Sequence, residues 1–314
     1  MNTTSTDKAD SMGLSPVLVA LRTCFIAIIA LLIISGNILS IAVTRRVTNL
    51  AESTKVLMTS LAVYDLMVGF LALFSVAPSA LDRWPFGDIP CKLLASSITM
   101  FFIMSLTLIV CLNIERFIAI TRPYKFPLWC TARRVVILVC MVSIFSLGFC
   151  VSLIFQILPT DIDTWDSYFN MNTSVFTNFL SIILADIFPT ILMSYIYYRL
   201  IKISRQHEQR LNQNGNNEAN NNHENKALKT FFVVTLTFSG CYTPALILRV
   251  VRSLSVPLPH WLEFITIWLL ISNSMFNVII YCLFNTSFRQ TAKKILLERF
   301  PCCNRSVAPI NIAE

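Results

Sequence analysis

Uncharged or nearly uncharged apolar runs recur along the chain at about 23–44, 56–81, 93–114, 135–160, 167–198, 230–248 and 264–288. A helix rising ~1.5 Å per residue crosses a hydrocarbon layer of ~30 Å within each of them, so the pattern predicts seven membrane-spanning helices. Only Asp65 and Asp186 interrupt the runs. The expected fold class is an all-α membrane protein, a seven-transmembrane helix bundle with a short amphipathic cytoplasmic helix after span seven. Phe288, Arg289, Lys293 and Lys294 supply the two faces of that last helix.

The third span is the most differentiated. From Lys92 to Glu115 no charged residue intervenes, and the tripeptide Glu115-Arg116-Phe117 stands where apolar sequence gives way to a basic loop. Ile98, Phe102, Ser105, Ile109, Leu112 and Arg116 recur at intervals of three and four, which makes them one stripe on the helix. A thiol at one end (Cys91), a small hydroxyl midway and an ion pair at the other end exceed what a plain anchor needs.

Composition supports this picture and narrows it. At 314 residues, 55% hydrophobic and only 13% charged, the chain is too apolar for a soluble domain of its size. The formal charge of +8 is topological. When loops are assigned alternately to the two sides, most basic residues fall on one, including Arg45, Arg46, Arg133, Arg134, Arg199, Lys293 and Lys294. The positive-inside rule makes that side cytoplasmic and puts the N-terminus outside. Membrane residence with lipid contact is therefore expected, and no nucleic acid. The first apolar run lacks a cleavage-like end, so no separate signal peptide is expected.

Three parts follow: an extracellular tail over 1–16, a seven-transmembrane domain over 17–285, and a cytoplasmic helix and tail over 286–314. Asn2 and Asn172 begin glycosylation sequons on the outer side. Asn285 and Asn304 match the same pattern, but topology keeps them cytoplasmic and unmodified. Cys302 and Cys303 follow the amphipathic helix, where they serve as S-acylation sites or stay reduced surface thiols. The loop from about Ser204 to Asn225, rich in Asn, Gln and Glu, is expected to be solvated.

Several short motifs stand in order along the spans. They are Gly36-Asn37 in span one, Leu61-Ala62-Val63-Tyr64-Asp65 in span two, and Trp84-Pro85-Phe86-Gly87 ahead of Cys91. After Glu115-Arg116-Phe117 come Pro189 with Tyr197, Phe238-Ser239-Gly240-Cys241-Tyr242-Thr243-Pro244, and Asn273-Ser274 followed by Asn277-Val278-Ile279-Ile280-Tyr281. Over about residues 20–300 the chain resembles the rhodopsin-like (class A) seven-transmembrane G protein-coupled receptors. Four features depart from that family's pattern. Span four lacks its tryptophan and proline, the loop at about 156–175 has no cysteine to bridge to Cys91, Tyr242 replaces a tryptophan, and Val278 replaces the proline of Asn-Pro-x-x-Tyr. Cys150 or Cys24 can substitute in the bridge, or the thiols are inert and buried. Without the proline, span seven is expected to kink less.

The resemblance implies a receptor that converts extracellular ligand binding into activation of a heterotrimeric G protein, with no covalent chemistry. It implies that Asn37, Ser105, Asn273, Ser274 and Asn277 gather around Asp65 and an allosteric sodium ion, since oxygen ligands suit a hard cation. A water-filled hydrogen-bond cluster is the alternative. At the cytoplasmic end it implies a latch in which Arg116 pairs with Glu115 and Glu224, with Tyr197 and Tyr281 beside it. For the outer pocket, the expected lining is Ile98, Thr99, Phe102, Tyr242, Ile267 and Ile271. Amine receptors of the family carry an aspartate where Ile98 stands, and opsins a lysine where Ile271 stands, so neither a typical monoamine receptor nor an opsin is expected. Asp186 either meets a cationic ligand or hydrogen-bonds Tyr242. Arg249 and Arg252 either clamp an anion or pair with outer acids such as Asp161 or Glu263. A constitutively active or partner-dependent receptor-like protein is the second hypothesis. A transporter or channel ranks below it, because no internal repeat is visible. An enzyme is not expected, since His207, His223 and His260 all lie in loops.

Overall fold

A computed structural model describes residues 15–156, 183, 187–214, 233, 236–251 and 259–299. Among these residues every regular element is helical. In chain order they are α1 (Pro16–Arg46), α2 (Glu52–Phe74), α3 (Val76–Leu81), α4 (Asp88–Thr121), α5 (Phe126–Trp129), α6 (Ala132–Gln156) and α7 (Phe188–Asn214). Then follow α8 (Leu236–Val251), α9 (His260–Phe284) and α10 (Thr286–Arg299). The spans at Pro16–Arg46, Glu52–Leu81, Asp88–Thr121, Ala132–Phe155 and Trp261–Phe284 are each long and apolar enough to cross a membrane. With α7 and α8 they make up the seven-helix bundle.

Local chemistry fixes the ends. Ser15 caps α1 by accepting from the Leu18 N–H at 3.4 Å, ahead of Pro16 in the first turn, where a missing N–H costs nothing. The second span is broken at Ser75, because Pro78 has no N–H to offer the carbonyl of Phe74. The short α3 then closes on Asp82 in the left-handed region (φ 52). Gly87 precedes α4 at φ 78, a conformation that glycine adopts without a Cβ clash. Asn285 accepts from the Phe288 N–H at 3.1 Å and so starts α10 as a separate helix.

The long α4 packs against α2, α6 and α7, while α9 lies against α1 and α2. Helix α10 turns Phe288, Ala292 and Ile295 inward at intervals of four and three, which leaves Arg289, Lys293 and Lys294 outside as an amphipathic pattern requires. Large side chains such as Ile28, Leu31, Ile144, Phe145 and Ile191 point away from the bundle, where lipid is the surrounding solvent. Gly69 lets α1 and α2 approach closely: a Cβ there would lie 2.9 Å from Ile33 Cγ2 and from Ile34 Cγ1.

Candidate functional site

A fully buried carboxylate, Asp65, stands on α2. Its Oδ1 accepts from the Ser105 hydroxyl at 2.6 Å and its Oδ2 from Asn277 Nδ2 at 3.0 Å. Helices α2, α4 and α9 thus meet at one carboxylate. Ser274 lies beside it, and Asn273 and Ser274 are both buried. Asn37 belongs to the same layer but does not touch the carboxylate. Its amide donates to the carbonyls of Ile33 at 2.9 Å and Ser274 at 3.1 Å, tying α1 to α9. The donors that reach Asp65 are all neutral, and hydroxyl and amide oxygens surround them. The donor set therefore fits a hard monovalent cation.

At the foot of α4 the expected latch takes a different form. Glu115 is buried and accepts at Oε1 from the Ser53 hydroxyl at 2.5 Å and the Thr54 hydroxyl at 3.0 Å. It makes no ion pair with Arg116; among the described residues the ion pairs are Arg22–Asp82, Arg46–Glu298 and Lys55–Glu52. Adjacent residues on a helix point in different directions, and the Glu115 carboxylate spends its hydrogen bonds on α2. Tyr281 is buried and stacks at 5.8 Å on Phe288 of α10. Tyr197 is half-buried on α7.

The outer pocket residues are not brought together as expected. Ile98 packs in a cluster with Trp84, Cys91 and Leu94, whereas Ile267 and Ile271 join Ile26, Ile33, Val68 and Trp268 against α1 and α2. Phe102 goes to a third cluster, its ring 4.8 Å from that of Tyr242, which in turn stacks at 3.9 Å on Phe238. Thr99 spends its hydroxyl on the carbonyl of Ala95 at 2.9 Å. Arg249 is exposed near the end of α8. Asp186, Arg252, Glu224, Asn2, Asn172, Cys302 and Cys303 lie outside the described residues.

One feature escaped the sequence reading. Arg22, buried in α1, donates from Nε to Ser79 Oγ at 3.0 Å and from Nη2 to the Ser79 carbonyl and Asp82 Oδ1, both at 2.7 Å. The signal was an arginine at the edge of an apolar run facing an aspartate that closes the next. Cys91 is a free, completely buried thiol, and Cys24 and Cys150 are free as well, so neither substitutes in a bridge. Trp84 covers this region and donates from its indole N–H to the Gly87 carbonyl at 2.8 Å.

Comparison with known proteins bears on the same residues. The profile of the family described as "7 transmembrane receptor (rhodopsin family)" matches residues 36–281, a stretch that contains Asp65, Arg116 and Tyr281. The human histamine H2 receptor is 28% identical over 294 residues, covering 90% of this chain and 79% of its own. The octopamine receptor beta-1R of Drosophila melanogaster is 27% identical over 337 residues, or 95% of this chain and 65% of its own. G-protein coupled receptor 52 of Mus musculus is 27% identical over 299 residues, covering 87% and 80%.

Proposed function

We propose, from the premise that the chain belongs to the rhodopsin family of seven-transmembrane receptors, that its extracellular ligand is recognised without a carboxylate on α4. Like the family, the chain is a multi-pass plasma-membrane receptor, not an enzyme, and its partners are an extracellular ligand and a heterotrimeric G protein. The observation that carries the ligand proposal is Ile98, packed among Trp84, Cys91 and Leu94. That surface offers an ammonium group no counter-ion, and an unpaired charge there would be costly. Two relatives are named for amines, histamine and octopamine, so these are the compounds that test the idea. In cells carrying a promiscuous G-protein reporter, neither should activate the receptor, while a panel of uncharged, peptide and lipid compounds contains the agonist class. A saturable response to either amine that is absent from untransfected cells refutes the proposal.

The reading continues at Asp65. Ser105, Ser274, Asn273 and Asn277 would hold a sodium ion with it, and the ion would supply the positive charge that this buried carboxylate otherwise lacks. These residues would favour the resting arrangement, and agonist would shift the balance away from it. With the N-terminus outside, Arg116 is the group that meets the G protein. Arg116→Ala should abolish agonist-driven signalling at unchanged surface expression; intact coupling removes Arg116 from the mechanism. Sodium chloride should raise the melting temperature above its value in an equal concentration of choline chloride, and Asp65→Asn should erase the difference. Saturation about 100-fold above the dissociation constant corresponds to about 2.7 kcal/mol.

A further inference from the structure

Where α1 ends and α2 begins, the two helices border an open groove of about 390 Å³ lined by Thr44, Arg45, Glu52, Lys55, Val56, Thr59 and Ser60. Thr44 is completely buried, yet its hydroxyl has no hydrogen-bond partner. Helical hydroxyls ordinarily donate to the carbonyl one turn back, as Thr23, Thr107, Thr121 and Ser143 do in this protein. Among the described residues, neither Thr59 nor Ser60 does so. A buried hydroxyl without a partner carries a desolvation penalty, which a bound acceptor would remove.

The charges point the same way. Arg46 is engaged by Glu298 at 2.5 Å, whereas Arg45 makes no hydrogen bond or ion pair among the described residues and is exposed at the groove. Lys55 is held at 2.8 Å by Glu52, whose side chain is 73% exposed. The Lys55 side chain is itself 21% exposed, so water reaches the pair mainly from the Glu52 side, and a phosphate competes with a single exposed carboxylate for the ammonium. Two cations and three hydroxyls line one groove, against one carboxylate already turned to its own lysine.

We propose that this groove binds a phosphate-bearing anion. A tetrahedral phosphate accepts at several oxygens at once and pairs well with a guanidinium. Such a group arrives either as the headgroup of an anionic phospholipid or as a small soluble phosphate ester. The groove lies at the border of the apolar spans, the depth of lipid phosphates, and this favours the lipid.

The full chain in phosphatidylcholine nanodiscs, with or without phosphatidic acid, separates the sources when compared with glycerol 3-phosphate added to lipid-free detergent micelles. Lipid retention by native mass spectrometry and thermal shift are the readouts. Stabilisation by phosphatidic acid alone assigns the site to lipid, stabilisation by both assigns it to phosphate in general, and stabilisation by neither overturns the proposal. Thr44→Val should weaken binding about tenfold, a loss typical of one hydrogen bond to a charged group. In pure phosphatidylcholine the same substitution should leave the melting temperature unchanged or raise it, which a merely structural hydroxyl would not do. Arg45→Gln should weaken binding at least as much. If both variants bind like the parent chain, the groove is not the site.

Discussion

Replacing Gly69 by alanine tests the packing on which the polar layer depends. The new Cβ would sit 2.9 Å from Ile33 Cγ2 and Ile34 Cγ1 and 3.3 Å from Ile33 Cβ, whereas carbon atoms rest at about 3.5–4.0 Å. The neighbours cannot simply rotate away: both isoleucines are β-branched and almost confined to one rotamer in a helix, and Ile33 is completely buried. Helices α1 and α2 must therefore separate locally, a type of overpacking that costs about 1–3 kcal/mol. Alanine returns up to about 1 kcal/mol of helix propensity, so the net loss should be about 1–2 kcal/mol. Gly148 and Gly240 are internal controls, because a Cβ at either meets nothing within 4 Å. Thermal unfolding in detergent should show Gly69→Ala melting several degrees lower, and Gly148→Ala and Gly240→Ala melting at or above the parent value. Equal melting of all three variants would refute the reasoning. Asp65 and Asn37 lie one turn from Gly69 and Ile33 on the same faces, so Gly69→Ala should also blunt the response to sodium.

The other predictions concern the two ends of the bundle. Arg22→Met removes three hydrogen bonds to Ser79 and Asp82 and should cost about 2 kcal/mol, less than a fully buried pair because Asp82 is partly exposed; unaltered surface expression and melting would contradict this. Ser53→Ala combined with Thr54→Val strips Glu115 of its two donors, each worth about 1.5–3 kcal/mol to a charged acceptor, and the melting temperature should fall accordingly. Because Cys91 is a free thiol, dithiothreitol should leave ligand-driven signalling unaltered, whereas a loss of response would reveal a bridge. The hydrogen bond from Arg46 holds Glu298 below the usual carboxylate range, so the contact between α1 and α10 is fully present above that range. It is lost as pH falls through the depressed value. In a nuclear magnetic resonance titration Glu298 should lose its proton at lower pH in the parent chain than in Arg46→Gln, and equal midpoints would contradict the pairing.

Much of this arrangement was legible in the sequence, for reasons that differ from place to place. The spans were visible because lipid demands long apolar runs; that Asp65 needs partners followed from an acid inside such a run, while their identity came from the family resemblance, and Ser105 and Asn277 supply the hydrogen bonds. The outer pocket was not. Span seven is apolar on nearly every side, so periodicity alone did not say whether Ile267 and Ile271 turn toward α4 or toward α1. They turn to α1. Glu115 and Arg116 looked like a pair because they are neighbours in sequence, yet about 100° of helix rotation separates them. Arg22 was missed because Ser79 and Asp82 are more than fifty residues away along the chain, and only the break at Ser75 brings them back to α1.

The residue that replaces the family's proline in span seven has a mechanical consequence. Val278 is buried facing Gly36, where a Cβ would touch it at 3.7 Å, and α9 runs as one helix from His260 to Phe284 with a closing bond from the Asn285 N–H to the Tyr281 carbonyl. A proline would leave a carbonyl without its donor and give the rod a soft joint. This rod has none at that position, so any signal passing from Trp268 to Tyr281 must travel by rolling or sliding the whole shaft against α1.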